Sequence, residues 1–220
     1  MLAIYKGVVK NDMDTAKARC ITYIDGFNLY FGLREKGWQK YMWLDLTKFS
    51  AALLMKSQTL VGTKYFTSRV SGNIEKQKRQ STYLDALGTL PGLEIFYGQY
   101  QLDNKQCRKC GAYYQNPQEK KTDVNIASEM LCDAFQDRFD TAVLVSADSD
   151  LTAPLESIRK VFPKKSVVVA FPPKRFSVSL QNAATASYHM GELKFRGNTM
   201  PAKVTLASGY VLECPQKYII

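Results

Sequence analysis

The chain has 220 residues, of which 45% are hydrophobic and 23% charged, and its formal net charge is +10. Those values suit one soluble globular unit with a full core, and no apolar run approaches membrane-spanning length. Met1-Leu2-Ala3-Ile4-Tyr5 is too short for a signal-peptide core, and five cysteines form no even set of staples, so a reducing cytoplasm is expected.

Residues 1–19 read as a polar extension. Strands are then predicted near 21–25, 61–68, 93–101, 141–146 and 166–171, from runs of β-branched and aromatic residues. Helices are predicted near 28–36, 45–56, 74–88, 123–137, 151–161 and 175–187. Thr122 or Asp123 is a candidate cap for the fourth helix and Asp150 for the fifth. This alternation predicts an α/β domain over 20–190, with a mainly parallel central sheet of about five strands flanked by helices. Val143-Leu144-Val145 and Val167-Val168-Val169-Ala170 are continuously apolar, as strands covered on both faces should be. Residues 103–121 form the longest irregular stretch, and 191–220 read as a small C-terminal β extension with a hairpin around Gly209.

Val143-Leu144-Val145-Ser146-Ala147-Asp148-Ser149-Asp150 ends an apolar run in two carboxylates spaced i, i+2. Like charges that close raise each other's cost unless a cation lies between them. Asp25 ends the predicted strand Ile21-Thr22-Tyr23-Ile24, and Asp123 opens a helical pattern. Strand ends of an open α/β sheet share one rim, so Asp25, Asp123, Asp148 and Asp150 are candidates to hold a divalent ion that activates water at a phosphodiester. Taken singly, each Asp is equally well explained as a helix cap or turn residue. The single histidine, His189, receives no role and removes two-histidine schemes within one chain; carboxylate ligands favour Mg²⁺ or Mn²⁺.

After Asp150 ten Lys or Arg face only three Glu, a local excess of seven. A basic surface beside an acidic pocket suits a polyanion, although charge alone is accounted for by solubility. Asp148-Ser149-Asp150-Leu151-Thr152 also resembles the DxDxT signature of haloacid dehalogenase-type phosphatases, whose first Asp is a nucleophile. No Asp follows Asp150 to complete that family's downstream acidic motif, so this reading stands behind.

Tyr23-Ile24-Asp25-Gly26-Phe27-Asn28-Leu29-Tyr30 resembles the first motif of NYN domains, the PIN-like nucleases of the LabA-like group. Glu119-Lys120-Lys121-Thr122-Asp123-Val124-Asn125-Ile126-Ala127 is similar to their second motif, and Ser146-Ala147-Asp148-Ser149-Asp150-Leu151 to the third, with Ala147 where glycine is more usual. Three motifs in order are far more specific than one. The resemblance covers roughly 20–190 and implies a PIN-like, Rossmann-like sandwich with metal-dependent ribonuclease activity. It makes Asp25, Asp123, Asp148 and Asp150 metal ligands, with Asn28 holding Asp25 or a water. Ser146 and Ser149 would orient the third-motif carboxylates. Lys120 and Lys121 would approach substrate phosphate, a solvated loop pair being the equal alternative. It implies RNA, single-stranded or structured, as partner, and is compatible with a homodimer. A catalytically silent RNA-binding or adaptor module of the same fold is the alternative. Asp133, ten residues past Asp123 and about 80° off its helical face, is expected at the surface.

Cys107-Arg108-Lys109-Cys110-Gly111 has zinc-knuckle spacing but supplies half a site, with Cys214 and His189 far off in sequence. A zinc shared across a dimer, a redox-sensitive loop and two inert thiols are the options, with no metal preferred. Cys20 and Cys132 are expected in the core. Tyr113 and Tyr114, with Arg108 and Lys109 nearby, are candidates to stack on single-stranded RNA. Lys174 and Arg175 follow the fifth predicted strand and are candidate phosphate clamps; a helix entry explains them nearly as well.

Overall fold

A computed structural model describes residues 16–219, with the backbone alone for 100–104 and 114–120. Most of the expected extension over 1–19 lies outside the described residues, which lead at once into the strand β1 (Ala18–Asp25), inside a sheet and buried from Cys20 onward. Helices α1 (Gly26–Lys36) and α2 (Leu46–Leu53) lead to β2 (Gln58–Thr67), and α3 (Ile74–Leu87) leads to β3 (Leu93–Tyr97). A hairpin of β4 (Gln99–Gln106) and β5 (Tyr113–Lys120) precedes α4 (Thr122–Phe135). Then follow β6 (Thr141–Val145), α5 (Thr152–Val161), β7 (Ser166–Phe171), α6 (Val178–Ala183) and β8 (Ala186–His189). The sheet has six strands in the order β3-β2-β1-β6-β7-β8, all parallel. Strand order reverses between β1 and β6, the crevice where open α/β sheets bind ligands.

The sheet divides two apolar cores. One joins α1, α2 and α3 through Leu29, Leu33, Phe49, Leu84 and Leu87. The other joins α4, α5 and α6 through Ile126, Met130, Leu155, Ile158 and Leu180. The C-terminal strands β9 (Lys203–Thr205) and β10 (Val211–Glu213) form the expected hairpin. Phe195, Met200, Leu212 and Cys214 bury themselves in the first core, and the Trp43 indole N–H donates to the Pro201 carbonyl at 2.8 Å.

Five sequence expectations change. Residues 103–121 are not irregular: their polar side chains hide a regular antiparallel ladder from Gln99↔Lys120 to Gln106↔Tyr113. Pro117 is tolerated because a two-stranded ribbon has only edges. The expected helix over 175–187 stops at Ala183, and Ala186–His189 becomes a sixth strand beside β7. Small residues carry little intrinsic commitment, so pairing with an open sheet edge prevails there. Neither expected cap holds, because Lys121 in the left-handed region (φ 74°) precedes α4 and Leu151 precedes α5. Cys132 is exposed on the outer side of α4, whereas Cys20 is buried as expected.

Asp133 is the fifth correction: it is 1% exposed. Its face belongs with Ile126 and Met130, seven and three residues earlier on the buried stripe, rather than with Asp123. Lys64 on β2, also 1% exposed, meets Asp133 Oδ2 at 2.6 Å and Glu129 Oε2 at 2.7 Å. The Tyr23 hydroxyl donates to Asp133 Oδ2 at 2.7 Å, and Arg138 reaches Asp133 Oδ1 at 3.0 Å. Burial and that neighbouring carboxylate push the Tyr23 phenol upward, so it remains the donor. Removing one partner of such a pair leaves an uncompensated charge. Lys64→Met should therefore cost about 3–5 kcal/mol in urea unfolding, and adding Asp133→Leu should regain part of the loss. A Lys64→Met protein as stable as the parent would show that this pair contributes nothing to docking α4.

Candidate functional site

Asp25 is both the last residue of β1 and the N-cap of α1. Its Oδ1 accepts the Asn28 backbone N–H at 3.0 Å, and its Oδ2 accepts the Asn28 side-chain amide at 2.6 Å. Ser146, buried at the end of β6, donates its hydroxyl to the same Oδ2 at 2.8 Å. That hydroxyl oxygen accepts the Asp148 backbone N–H at 3.0 Å, so one serine ties the first and third motifs together across the sheet. Asp148 in turn caps a single 3₁₀ turn (Ser149–Leu151) by accepting the Asp150 N–H at 3.0 Å. Ser149 is exposed, and its carbonyl accepts from Thr152 at 2.6 Å.

Asp123 occupies the first turn of α4, a half-buried position. Burial first, and then the charges of Asp148, Asp25 and Asp150 in that order, together raise its carboxyl to about 6. Burial also raises Asp25, opposed by the hydrogen bonds from Asn28 and Ser146 and reinforced by Asp148. The four acids thus stand within electrostatic reach of one another at one rim, although they come from three separate parts of the chain. Among the described residues no three His, Cys, Asp or Glu side chains already stand at metal-holding spacing. The donor chemistry is what fits a hard divalent cation: oxygen donors only, mutually repelling, with burial and the neighbouring carboxylates raising the proton affinities of Asp25 and Asp123.

The proposed cationic contacts separate. Lys121 is exposed immediately before α4. Lys120 ends β5, and its side chain, like that of Tyr114, lies outside the described residues. Lys174 is exposed in the left-handed region (φ 60°) after β7. Arg175 pairs instead with Glu35 on α1 and lies 5.9 Å from the centre of the Phe31 ring, so a local acid has already engaged its charge. Tyr113 is exposed at the far end of the β4–β5 ribbon. Cys107 and Cys110 occupy the tip of that ribbon, where the Gly111 N–H donates to the Cys107 carbonyl at 2.9 Å. Backbone N–H groups of Cys110 and Lys109 lower the Cys107 thiol. His189 ends β8 between the Phe171 and Phe176 rings, at 5.4 and 5.3 Å.

Two positions escaped the sequence reading. A Cβ on Gly26 would lie 2.7 Å from the Tyr65 hydroxyl and 2.8 Å from the Phe66 carbonyl, so only glycine lets α1 start against β2. A Cβ on Gly32 would meet the Pro173 carbonyl at 2.7 Å, the close approach that seats α1 on the loop after β7. The one available signal was glycine directly after a strand-ending aspartate.

The family description "NYN domain" matches residues 19–191. NYN domains are PIN-like nucleases, a group that acts on nucleic acid and typically uses divalent metals. The chain is similar to 6-hydroxy-3-succinoylpyridine 3-monooxygenase of Pseudomonas putida, with 25% identity over 190 residues, 69% of this chain and 59% of that protein. It therefore spans less than two thirds of that relative's length. It also superposes on a crystal structure of a protein of unknown function from Vibrio parahaemolyticus, with a TM-score of 0.54 and 20% identity over 82% of this chain and 97% of that one. That likeness is one of fold. No helix among the described residues is long and apolar enough to cross a membrane.

Ser146→Ala removes one of three donors to a buried carboxylate and the acceptor for Asp148. The variant should lose about 1–3 kcal/mol of stability by thermal unfolding. Unchanged stability would mean that Ser146 does not hold Asp25 and Asp148 together.

Proposed function

We propose, from the premise that this chain belongs to the NYN domain family, that it is a Mg²⁺- or Mn²⁺-dependent ribonuclease hydrolysing RNA phosphodiester bonds. One observation supports the reading: burial and the charges of Asp148, Asp25 and Asp150 together push Asp123 to about 6, so acids of all three motifs lie close enough to interact. Such a cluster is costly without a cation and has no role in packing. In this reading the four aspartates hold the ion. Asn28 and Ser146 fix the rotamer of Asp25, keeping its carboxylate turned along the rim. A divalent cation held there would activate water and neutralise charge developing on the phosphate. Lys121, beside Asp123, and Lys174, after β7, are exposed cations that would receive flanking phosphates. Arg175 is withdrawn from that role by Glu35.

A second reading comes from the Pseudomonas putida relative, whose name specifies oxygenation of a hydroxypyridine. A cavity lined by Tyr30, Tyr41 and Tyr83, beside the acidic rim, favours it by offering room for a small aromatic acid. Turnover of 6-hydroxy-3-succinoylpyridine with dioxygen and a two-electron reductant would support that reading.

The deciding experiment incubates purified protein with single-stranded RNA, structured RNA and tRNA, in Mg²⁺, Mn²⁺ or excess EDTA. Cleavage should require the metal, and Asp25→Asn and Asp148→Asn should each lower it about 10²-fold or more while circular dichroism stays unchanged. Saturable RNA binding without metal-stimulated cleavage would make the protein a binding module. Full activity of either variant would dismiss the aspartate mechanism.

A further inference from the structure

A cavity of about 420 Å³ lies between α1 and α3, within the size range of small-molecule sites. It begins at Gly26 and Phe27, the two residues that follow Asp25, and so opens beside the acidic rim. Its floor is aromatic: Tyr65 is packed against Gly26, and the Tyr83 hydroxyl is satisfied by the Leu44 carbonyl at 2.9 Å. Its wall carries Arg34, Lys76 and Arg79 and, among the described residues, no acidic side chain. The Arg34 guanidinium lies 4.5 Å from the Phe31 ring centre and 5.9 Å from that of Tyr30. Lys76 and Arg34 are exposed and Arg79 is half-buried. Tyr30, 38% exposed, leaves ring surface available.

An aromatic floor under a cationic wall matches one chemistry: a flat ring joined to an anion. Partial exposure of the aromatic rings leaves room for a base to stack, while the three cations take the phosphates on either side. We propose that this cavity is a subsite for one unpaired nucleotide of the RNA, with its base against Phe27 and Tyr30 and its phosphates on Arg34, Lys76 and Arg79. This inference rests on the ribonuclease reading, since it places that nucleotide next to the bond presented to the aspartates. A base inside a duplex is stacked on its neighbours and cannot enter without being flipped out, so the cavity selects single-stranded substrate over paired RNA. A cationic wall without acids also distinguishes it from the rim itself, where like charges collect.

The test measures binding of a short fluorescein-labelled single-stranded RNA to the intact protein by anisotropy in EDTA, where metal-dependent cleavage is absent. Tyr30→Ala should weaken binding about fivefold to a hundredfold, the range of a lost base–aromatic stack. Arg34→Ala/Arg79→Ala should weaken it at least about tenfold and flatten its salt dependence. Lys164→Ala, an exposed cation outside the cavity, should change it less than about twofold. Affinity for blunt duplex RNA should be unaffected by Tyr30→Ala. If both cavity variants bind and cleave single-stranded RNA like the parent, the subsite is refuted while the ribonuclease reading survives. If the parent never cleaves but the cavity variants still lose single-strand affinity, the subsite stands and the ribonuclease reading fails. Displacement of a pyridine carboxylate probe from the cavity, with RNA binding insensitive to both variants, would assign it to a free aromatic acid and overturn the proposal.

Discussion

Lys64 is a cation with no route to water, and the second layer of the molecule is organised around it. Its ammonium is enclosed by β1, β2 and α4, where an unpaired charge would cost several kcal/mol. Asp133 and Glu129, one helical turn apart on α4, can both reach it only when that helix lies at one rotation and height against the sheet. Tyr23 closes the arrangement from β1, two residues before Asp25. Ten residues separate Asp133 from Asp123, about 15 Å of helix, so the charged node and the acidic rim are two ends of one rod. Apolar contacts of Ile126 and Met130 would tolerate small slippage of α4, whereas a buried ion pair of short reach does not.

At the rim, capping and the proposed cation binding would use the same atoms. Asp25 caps α1, Asp148 caps a 3₁₀ turn, and Asp123 sits in the first turn of α4. Each carboxylate therefore faces the positive end of a helical segment, an interaction worth about 0.3–1 kcal/mol apiece, which offsets part of the repulsion among them. The bland explanation of each aspartate as a cap is correct in its local geometry for Asp25 and Asp148. It leaves unexplained why these acids meet, and that convergence adds to burial in raising Asp123.

The two sides of the sheet are put to different uses. Beneath α4 and α5 the packing is sealed by aromatic and aliphatic side chains around the charged node. Beneath α1 and α3 the core is broader, supplemented by Phe195 and Met200 from the C-terminal segment, and it leaves an aromatic cavity at its upper edge. Gly26 joins the two: its missing side chain lets Tyr65 approach the turn that carries Asp25. Acidic rim and cationic cavity are consequently neighbours through one glycine.

Local pattern was enough to disclose most of the architecture. Continuous apolar runs marked β6 and β7, alternating elements marked a parallel sheet, and three motifs pointed to an NYN domain with its acids at strand ends. What local pattern missed depends on partners distant in sequence. The β4–β5 ribbon is polar and earns its regularity from cross-strand bonds. β8 exists because β7 offers an open edge. Asp133 looked like a surface acid because its cation stands 69 residues earlier, on another strand. Arg175 looked free because Glu35 lies 140 residues away. The residues themselves determined which chemistry is present, since charge, ring and backbone preference are properties of each side chain. Tertiary structure alone decided which charges are satisfied and which are left facing one another, because electrostatic pairing depends on distance in space and burial, and neither is written in chain order.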